Sequence, residues 1–279
     1  MNGTEGMTEG FCYVADRAGY IREAELSAAS LKRRMPVAQV ALVCPTSLFR
    51  RDSIFDHHIA LDENYSGPIV KTQAIKAPFD RVMLIDTDTL ITADLTDVFR
   101  VLEHFDIAVG HEPTRGWDYP CEAPPAFCEL NTGVVLFRNN DRVQKLFGRW
   151  FQKYFELRKA HRLVNDQPAF RSVLWESDSI RVATLPSEFH CIVGKPVSIA
   201  WEARLLHGRD DLFAIAGEIN GQLGYRAFVP GWGQLRGYAG RKDLLRQYCK
   251  LTLNFFRMLL LKRWHSDSSA TAPEKWWTK

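Results

Sequence analysis

No low-complexity tract, no internal repeat, no Cys-x-x-Cys pair and no large excess of one charge occur in these 279 residues. Each absence removes a class. Lys and Arg number 36 against 33 Asp and Glu, and a net charge of +3 is too small for a protein built to coat nucleic acid, so no nucleic-acid partner is expected. Six scattered cysteines, Cys12, Cys44, Cys121, Cys128, Cys191 and Cys249, have no histidine at zinc-finger spacing and read as reduced thiols. The opening MNGTEGMTEGF has no basic-then-apolar leader, so a cytoplasmic setting is expected and Asn2-Gly3-Thr4 carries little weight as a glycosylation site. With 46% hydrophobic and 25% charged residues, the chain can bury a full core.

What is present alternates between two periods. The run FCYVA ends at Asp16, and Ile21, Ala24, Ala28 and Leu31 then recur at helical spacing before Pro36. VAQVALVC (37–44) is a second strand-like run, which makes a βαβ unit with parallel strands. A helix is expected over 69–77, and RVMLI (81–85) is a third buried strand that runs into Asp86-Thr87-Asp88. A helix over 94–103, strands over 105–110 and 131–138, a long amphipathic helix from Asp141 to about His161, and a shorter one beginning near Asp166 follow. Four prolines between Glu112 and Cys128 mark a long loop of the kind that binds ligands. The pattern predicts an α/β sheet covered on both sides.

In such sheets ligands collect at the carboxyl ends of strands, where Asp86 and Asp88 sit. Two carboxylates one residue apart suit magnesium or manganese, which keep positions open for phosphate oxygens. An isolated Asp-x-Asp more often caps a helix or solvates a turn.

The wider text RVMLIDTDTLITADL resembles the segment that carries the Asp-x-Asp motif in GT-A-fold glycosyltransferases, which use nucleotide sugars. YVADRAGYIREAELSAASLK is similar to that family's first strand and nucleotide-facing loop, ELNTGVVLFRNN to its acceptor-side strand, NDQPAF to its Asp-Gln helix start, and LLHGR to its C-terminal histidine motif. The similarity covers about residues 11–209 and is nearest to nucleotide-diphospho-sugar transferases and retaining galactosyltransferase-like enzymes.

That resemblance implies a GT-A (Rossmann-like), mostly parallel mixed sheet flanked by helices over residues 11–230, followed by a C-terminal helical extension over 231–279. It implies Mn2+ or Mg2+ held by Asp86, Asp88 and His207. Ala15, Asp16 and Tyr20 would face the nucleotide, with Tyr20 as a core residue at a helix start as the alternative. Asp86 and Thr87 would stand beside the donor, and Lys71 and Arg209 would meet the diphosphate charge. Asn131, Thr132, Gly133, Asp166 and Gln167 would line the sugar pocket, with Asp166 and Gln167 at the reacting centre. Asp166 also reads as a helix N-cap, and Gly133 either as a close approach to the donor or as an aid to strand packing.

The implied reaction moves a sugar from a nucleotide-diphosphate-sugar donor, with a UDP-sugar favoured, to a hydroxyl acceptor such as a growing glycan. Retention is implied by the histidine motif, and Glu112, Asp118, Glu122 and Glu129 remain equal candidates for a base. Two rivals stand beside it. A nucleotidyltransferase would need a glycine-rich, basic phosphate loop, and ADRAGY offers one glycine and one arginine. A non-catalytic sugar-binding or membrane-recruited protein leaves the carboxylates and His207 without a purpose.

Between Arg241 and Arg263 stand seven basic residues and one acid, among apolar residues at helical spacing. The charge-poor part, Leu251 to Leu261, has 11 residues and contains Arg257, too short for a bilayer that needs roughly 20. Peripheral membrane contact through 241–265, on the inner surface, is one reading, and packing on the catalytic domain or a second subunit is the other.

Overall fold

The structure is a computed structural model, and it describes residues 7–50, 52–113, 122–222, 227–229, 252, 253 and 256. The chain divides into two compact units, Met1–Trp232 and Gly233–Lys279. In the second, residues 252, 253 and 256 are helical, and the rest of the segment expected to be amphipathic lies outside the described residues. Among the described residues no helix is long and apolar enough to cross a membrane.

The strands, in chain order, are β1 (Glu9–Val14), β2 (Val40–Cys44), β3 (His57–Ala60), β4 (Arg81–Ile85), β5 (Thr89–Ile91) and β6 (Ile107–His111), then β7 (Leu130–Arg138), β8 (Val182–Leu185), β9 (Cys191–Ile192), β10 (Val197–Ile199), β11 (Leu205–His207) and β12 (Ala227–Val229). The helices are α1 (Ala18–Arg34), α2 (Asp141–His161), α3 (Gln167–Trp175) and α4 (Leu212–Gly217). Seven strands form the main sheet in the order β3-β2-β1-β4-β7-β6-β8. All but β7 run the same way, since only its two pairings, with β4 and β6, are antiparallel. This is the mostly parallel mixed sheet that the sequence led one to expect.

After Glu9 and Arg81 at the first positions of β1 and β4, strands β1, β2 and β4 are without charged residues because both faces are covered, which erases the alternation of a half-exposed strand. One face packs α2, α3 and segment 67–76; the other packs α1 and segment 96–103. Ile21, Ala24, Ala28 and Leu31 are the buried stripe of α1, and Ser27 and Ser30 lie buried beside them. Those two hydroxyls matter for position. Ser27 Oγ bonds both the Tyr13 hydroxyl at 2.8 Å and Thr89 Oγ1 at 2.6 Å, and Ser30 Oγ accepts from the Ile91 amide. Helix α1 thereby fixes β5, the strand that follows the Asp-x-Asp turn.

The helices expected over 69–77 and 94–103 are 3₁₀ segments, with bounds 67–76 and 96–103. In the first, Pro68 enters the opening turn, and the Thr72 hydroxyl donates to the Ile69 carbonyl at 2.8 Å, a local bond that competes with the α ladder. Cys12, Cys44, Cys128 and Cys191 are free thiols.

Helix α2 starts at Asn140, whose side chain accepts from the Val143 amide, and ends at Arg162 in the left-handed region with φ 55°. Fully buried Trp150 stacks obliquely on Phe170 of α3, and its Nε1–H donates to the Asp166 carbonyl at 3.1 Å. Trp150→Ala should therefore cost about 3–5 kcal/mol and lower the urea midpoint, since it leaves a cavity and a lost bond together. A midpoint within error of wild type would show that α2 does not hold the Asp166 loop in place.

Candidate active site

The carboxyl edge of the sheet gathers residues that are far apart in the chain. Asp16 follows β1, Asp86 to Asp88 follow β4, Glu112 follows β6, and antiparallel β7 starts there with Asn131 to Gly133. A cleft of ≈ 290 Å³ opens at this edge between Asp16, Tyr20, Lys71, Asp86, Asp88 and Arg209.

A second small sheet, β5-β11-β9, closes the site. The antiparallel register sets His207 opposite Thr89, and the Gly208 amide donates to the Asp88 carbonyl at 2.9 Å. The imidazole therefore meets the acidic turn: Nε2 lies 3.4 Å from Asp88 Oδ1 and 3.7 Å from Asp86 Oδ2. One ligand atom from each of the three residues lies within 4.8 Å of the other two. Ligands at about 2.1 Å around an octahedral cation stand roughly 3 to 4.2 Å apart, so two oxygens and one nitrogen so placed fit a single Mg2+ or Mn2+ with little adjustment.

Cations line the opposite wall. Lys71 Nζ donates to Asp86 Oδ2 at 3.0 Å and to the carbonyl and hydroxyl of Thr132 at 3.3 Å, and lies 3.9 Å from Asp166 Oδ1. Burial opposes the Lys71 charge, but Asp166 and Asp86 outweigh it and raise its pKa. Arg209 Nε lies 3.3 Å from Asp88 Oδ2, and its guanidinium also pairs with Glu23. Burial pushes the Asp88 carboxyl up, yet the His207 hydrogen bond and the charges of His207 and Arg209 hold it at about 2.

The other expected residues divide by location. Asp16 accepts from Arg17 and, at 2.9 Å, from the Gly67 amide. Tyr20 is half-buried rather than a core residue, with the guanidinium groups of Arg17 and Arg209 at 4.6 and 5.5 Å from its ring centre. Ala15 is buried and contributes its amide to the Val43 carbonyl. The Thr87 hydroxyl donates to Glu23 at 2.8 Å.

Asn131, Gly133, Asp166 and Gln167 lie behind the cleft rather than on its wall. Asp166 stands at the N-cap position of α3 but makes no capping bond. Its Oδ2 accepts from the Thr132 hydroxyl at 2.8 Å instead, so the capping alternative gives way to a buried network. Burial raises the Asp166 pKa against the opposing pull of Lys71. Buried Glu112 accepts from Asn131 Nδ2 at 2.8 Å, Gln167 Nε2 at 3.2 Å and Lys195 Nζ at 2.5 Å. Asn131 Oδ1 accepts from the Gly133 amide at 2.8 Å. Gly133 faces the histidine: a Cβ there would sit 2.3 Å from His207 Cε1. Of the other proposed bases, buried Glu129 lies 3.7 Å from Arg171, Glu122 is exposed, and Asp118 lies outside the described residues.

Three site residues escaped the sequence. Glu23 lies one helical turn beyond Tyr20, and its spacing offered a signal. Lys195 and His190 offered none, because they flank the two-residue strand β9. His190 Nε2 is 2.9 Å from His207 Nδ1 with the rings stacked, and burial holds its pKa well below the usual histidine value.

Residues 80–200, which hold the acidic turn, the lysine-facing Thr132 and the Asp-Gln helix start, match the sequence profile of the nucleotide-diphospho-sugar transferases. That segment, less than half of the chain, is similar to this family. No curated protein sequence matches the chain. Among solved structures it is similar to the glycosyltransferase GlyE of Streptococcus pneumoniae TIGR4, with 18% identity over 65% of this chain and 46% of that one and a TM-score of 0.47. The galactosyltransferase LgtC, solved with donor and acceptor sugar analogs, shows 16% identity over 66% and 75% of the two chains, at 0.47. Mouse xyloside xylosyltransferase 1 shows 12% over 72% and 98%, also at 0.47. The chain thus spans less than half the length of GlyE.

Proposed function

We propose that this protein moves a sugar from a nucleotide diphosphate donor, with a UDP-sugar favoured, to a hydroxyl acceptor such as a glycan, with a divalent metal and with retention of configuration. The convergence of Asp86, Asp88 and His207 on one point at the sheet's carboxyl edge carries this reading. These three residues would hold the cation, which when bound supplies positive charge to the diphosphate oxygens.

Every other contribution comes from the chain. Asp16 and Tyr20 receive the nucleoside, the ring offering a stacking face and the carboxylate an acceptor for a base N–H. Lys71 and Arg209 flank the place where negative charge grows as the glycosidic bond breaks, so they stabilise the departing diphosphate more than the intact donor. Asp166 and Gln167 lie deeper, tied through Thr132 and Glu112, where a hydroxyl-rich sugar needs paired donors and acceptors.

Melting the full chain with UDP-, GDP-, dTDP- and CMP-sugars, each with and without Mn2+, tests the proposal. One nucleotide class should raise the melting temperature by several degrees, and only with Mn2+: ligand at a hundred times its Kd adds about 2.7 kcal/mol to the native state. Stabilisation by no nucleotide sugar, or equal stabilisation without the metal, would overturn it.

A further inference from the structure

Behind His207 a second imidazole is held in a slot that two glycines create. His190 precedes β9, which pairs in parallel with β11 and sets Ile192 beside His207. The ring is 3% exposed, and Nε2 is 2.9 Å from His207 Nδ1. The ring centroids are 5.1 Å apart with 17° between planes. On one side the slot is Gly110 of β6, where any Cβ would stand 2.2 Å from His190 Nδ1. On the other it is Gly133 of β7, which leaves room for His207 in the same way. Gly110 pairs with Asn131, next to a register shift at Val109/Gly110 that re-aims the strand end toward the pair.

Among the described residues, His190 Nδ1 has no hydrogen-bond partner. A buried ring nitrogen left unbonded is unfavourable, so the fold keeps this imidazole at a cost, with the side-chain bond to His207 in return.

We propose that His190 is a positioning residue that fixes the tautomer and the angle of the His207 ring. With the cation bound, His190 Nε2 would accept the His207 Nδ1–H, so that the lone pair of His207 sits on Nε2, the nitrogen that faces Asp86 and Asp88; without it, Nε2 carries the hydrogen that Asp88 accepts. A lone imidazole on the three-residue strand β11 could rotate or carry its proton on the wrong nitrogen. The inference rests on the metal reading of Asp86, Asp88 and His207, and concerns a residue outside that set.

The test uses the full chain and Mn2+ alone, with free Mn2+ followed by electron paramagnetic resonance. Partners of this kind tune affinity about 10–100-fold, so His190→Leu should weaken Mn2+ binding by that factor. His190→Gln, which keeps an acceptor, should recover most of it. Gly110→Ala, which displaces His190 and leaves both imidazoles in the chain, should behave like the leucine variant. In protein labelled with ¹⁵N-histidine and loaded with diamagnetic Mg2+, the His207 ring resonances should mark Nδ1–H in wild type and shift in His190→Leu, a change that loss of packing alone would not give.

Wild type that binds Mn2+ with Asp88→Asn defective, but with His190→Leu equal to wild type, overturns the inference and leaves the metal reading standing. Unmoved His207 resonances in His190→Leu overturn it as well. Wild type that takes up no Mn2+ removes both.

Discussion

Asp88→Asn is expected to abolish metal-dependent donor binding and to lower turnover by a factor on the order of a hundred to a thousand. The substitution is nearly isosteric, so α1, β4 and β5 keep their packing and the protein should fold. The anion is what disappears. Asp88 stays ionised to about pH 2 because His207 and Arg209 outweigh its burial, and it faces His207 Nε2 at 3.4 Å. An amide oxygen is a weaker ligand for a hard dication than a carboxylate. A bound metal contributes several kcal/mol of charge stabilisation, and each 1.36 kcal/mol is a factor of ten in rate. Isothermal calorimetry with Mn2+, then with UDP in the presence of Mn2+, reads the binding half, and donor hydrolysis reads the chemical half. Unchanged metal and nucleotide affinity in a folded Asp88→Asn protein would remove the carboxylate pair from the site.

The sequence displayed the parts of this site that follow from local pattern. RVMLI ends at Asp86 as an apolar run because β4 is buried on both faces, and that signature survives in any parallel sheet. The buried face of α1 was legible for the same reason, since Ile21, Ala24, Ala28 and Leu31 repeat at helical spacing. His207 was visible only through family order. What brings it to Asp88 is antiparallel pairing of β5 with β11, two three-residue strands more than a hundred positions apart, too short to carry any period. His190 and Lys195 flank a still shorter strand and were invisible.

Residue roles were less legible than residue positions. Asp166 reads as an N-cap because helices often begin that way, but tertiary contact with Thr132 and Lys71 takes its carboxylate instead. Gly133 reads as room for the donor or as an aid to strand packing, while the atom that a Cβ would strike first belongs to His207. Segments 67–76 and 96–103 carry helical spacing, which does not distinguish an α from a 3₁₀ ladder over so few turns.

Lys71→Met should cost both stability and rate, and the two losses can be separated. Lys71 is the cation shared by Asp86, Thr132 and nearly buried Asp166. Removing it takes from Asp166 the charge that compensates it, a change of about 3 kcal/mol for a group at this depth. The stability deficit should depend on pH with a definite sign. Burial already raises the folded pKa of Asp166, so its contribution to stability is present at low pH, where the unfolded carboxyl is also protonated, and is lost as pH rises through the folded value. Without Lys71 that rise should be larger, so urea midpoints should fall further behind wild type at pH 7.5 than at pH 5. Adding Asp166→Asn to Lys71→Met should restore most of the lost stability, because the stranded charge is gone. Turnover should stay low by at least a hundredfold in the double variant, because the ammonium proposed to meet the departing diphosphate is still missing and the Asp166 carboxylate is gone as well. Equal deficits at both pH values would show that Asp166 is not the group Lys71 compensates. Recovery of rate together with stability would make Lys71 a structural cation only.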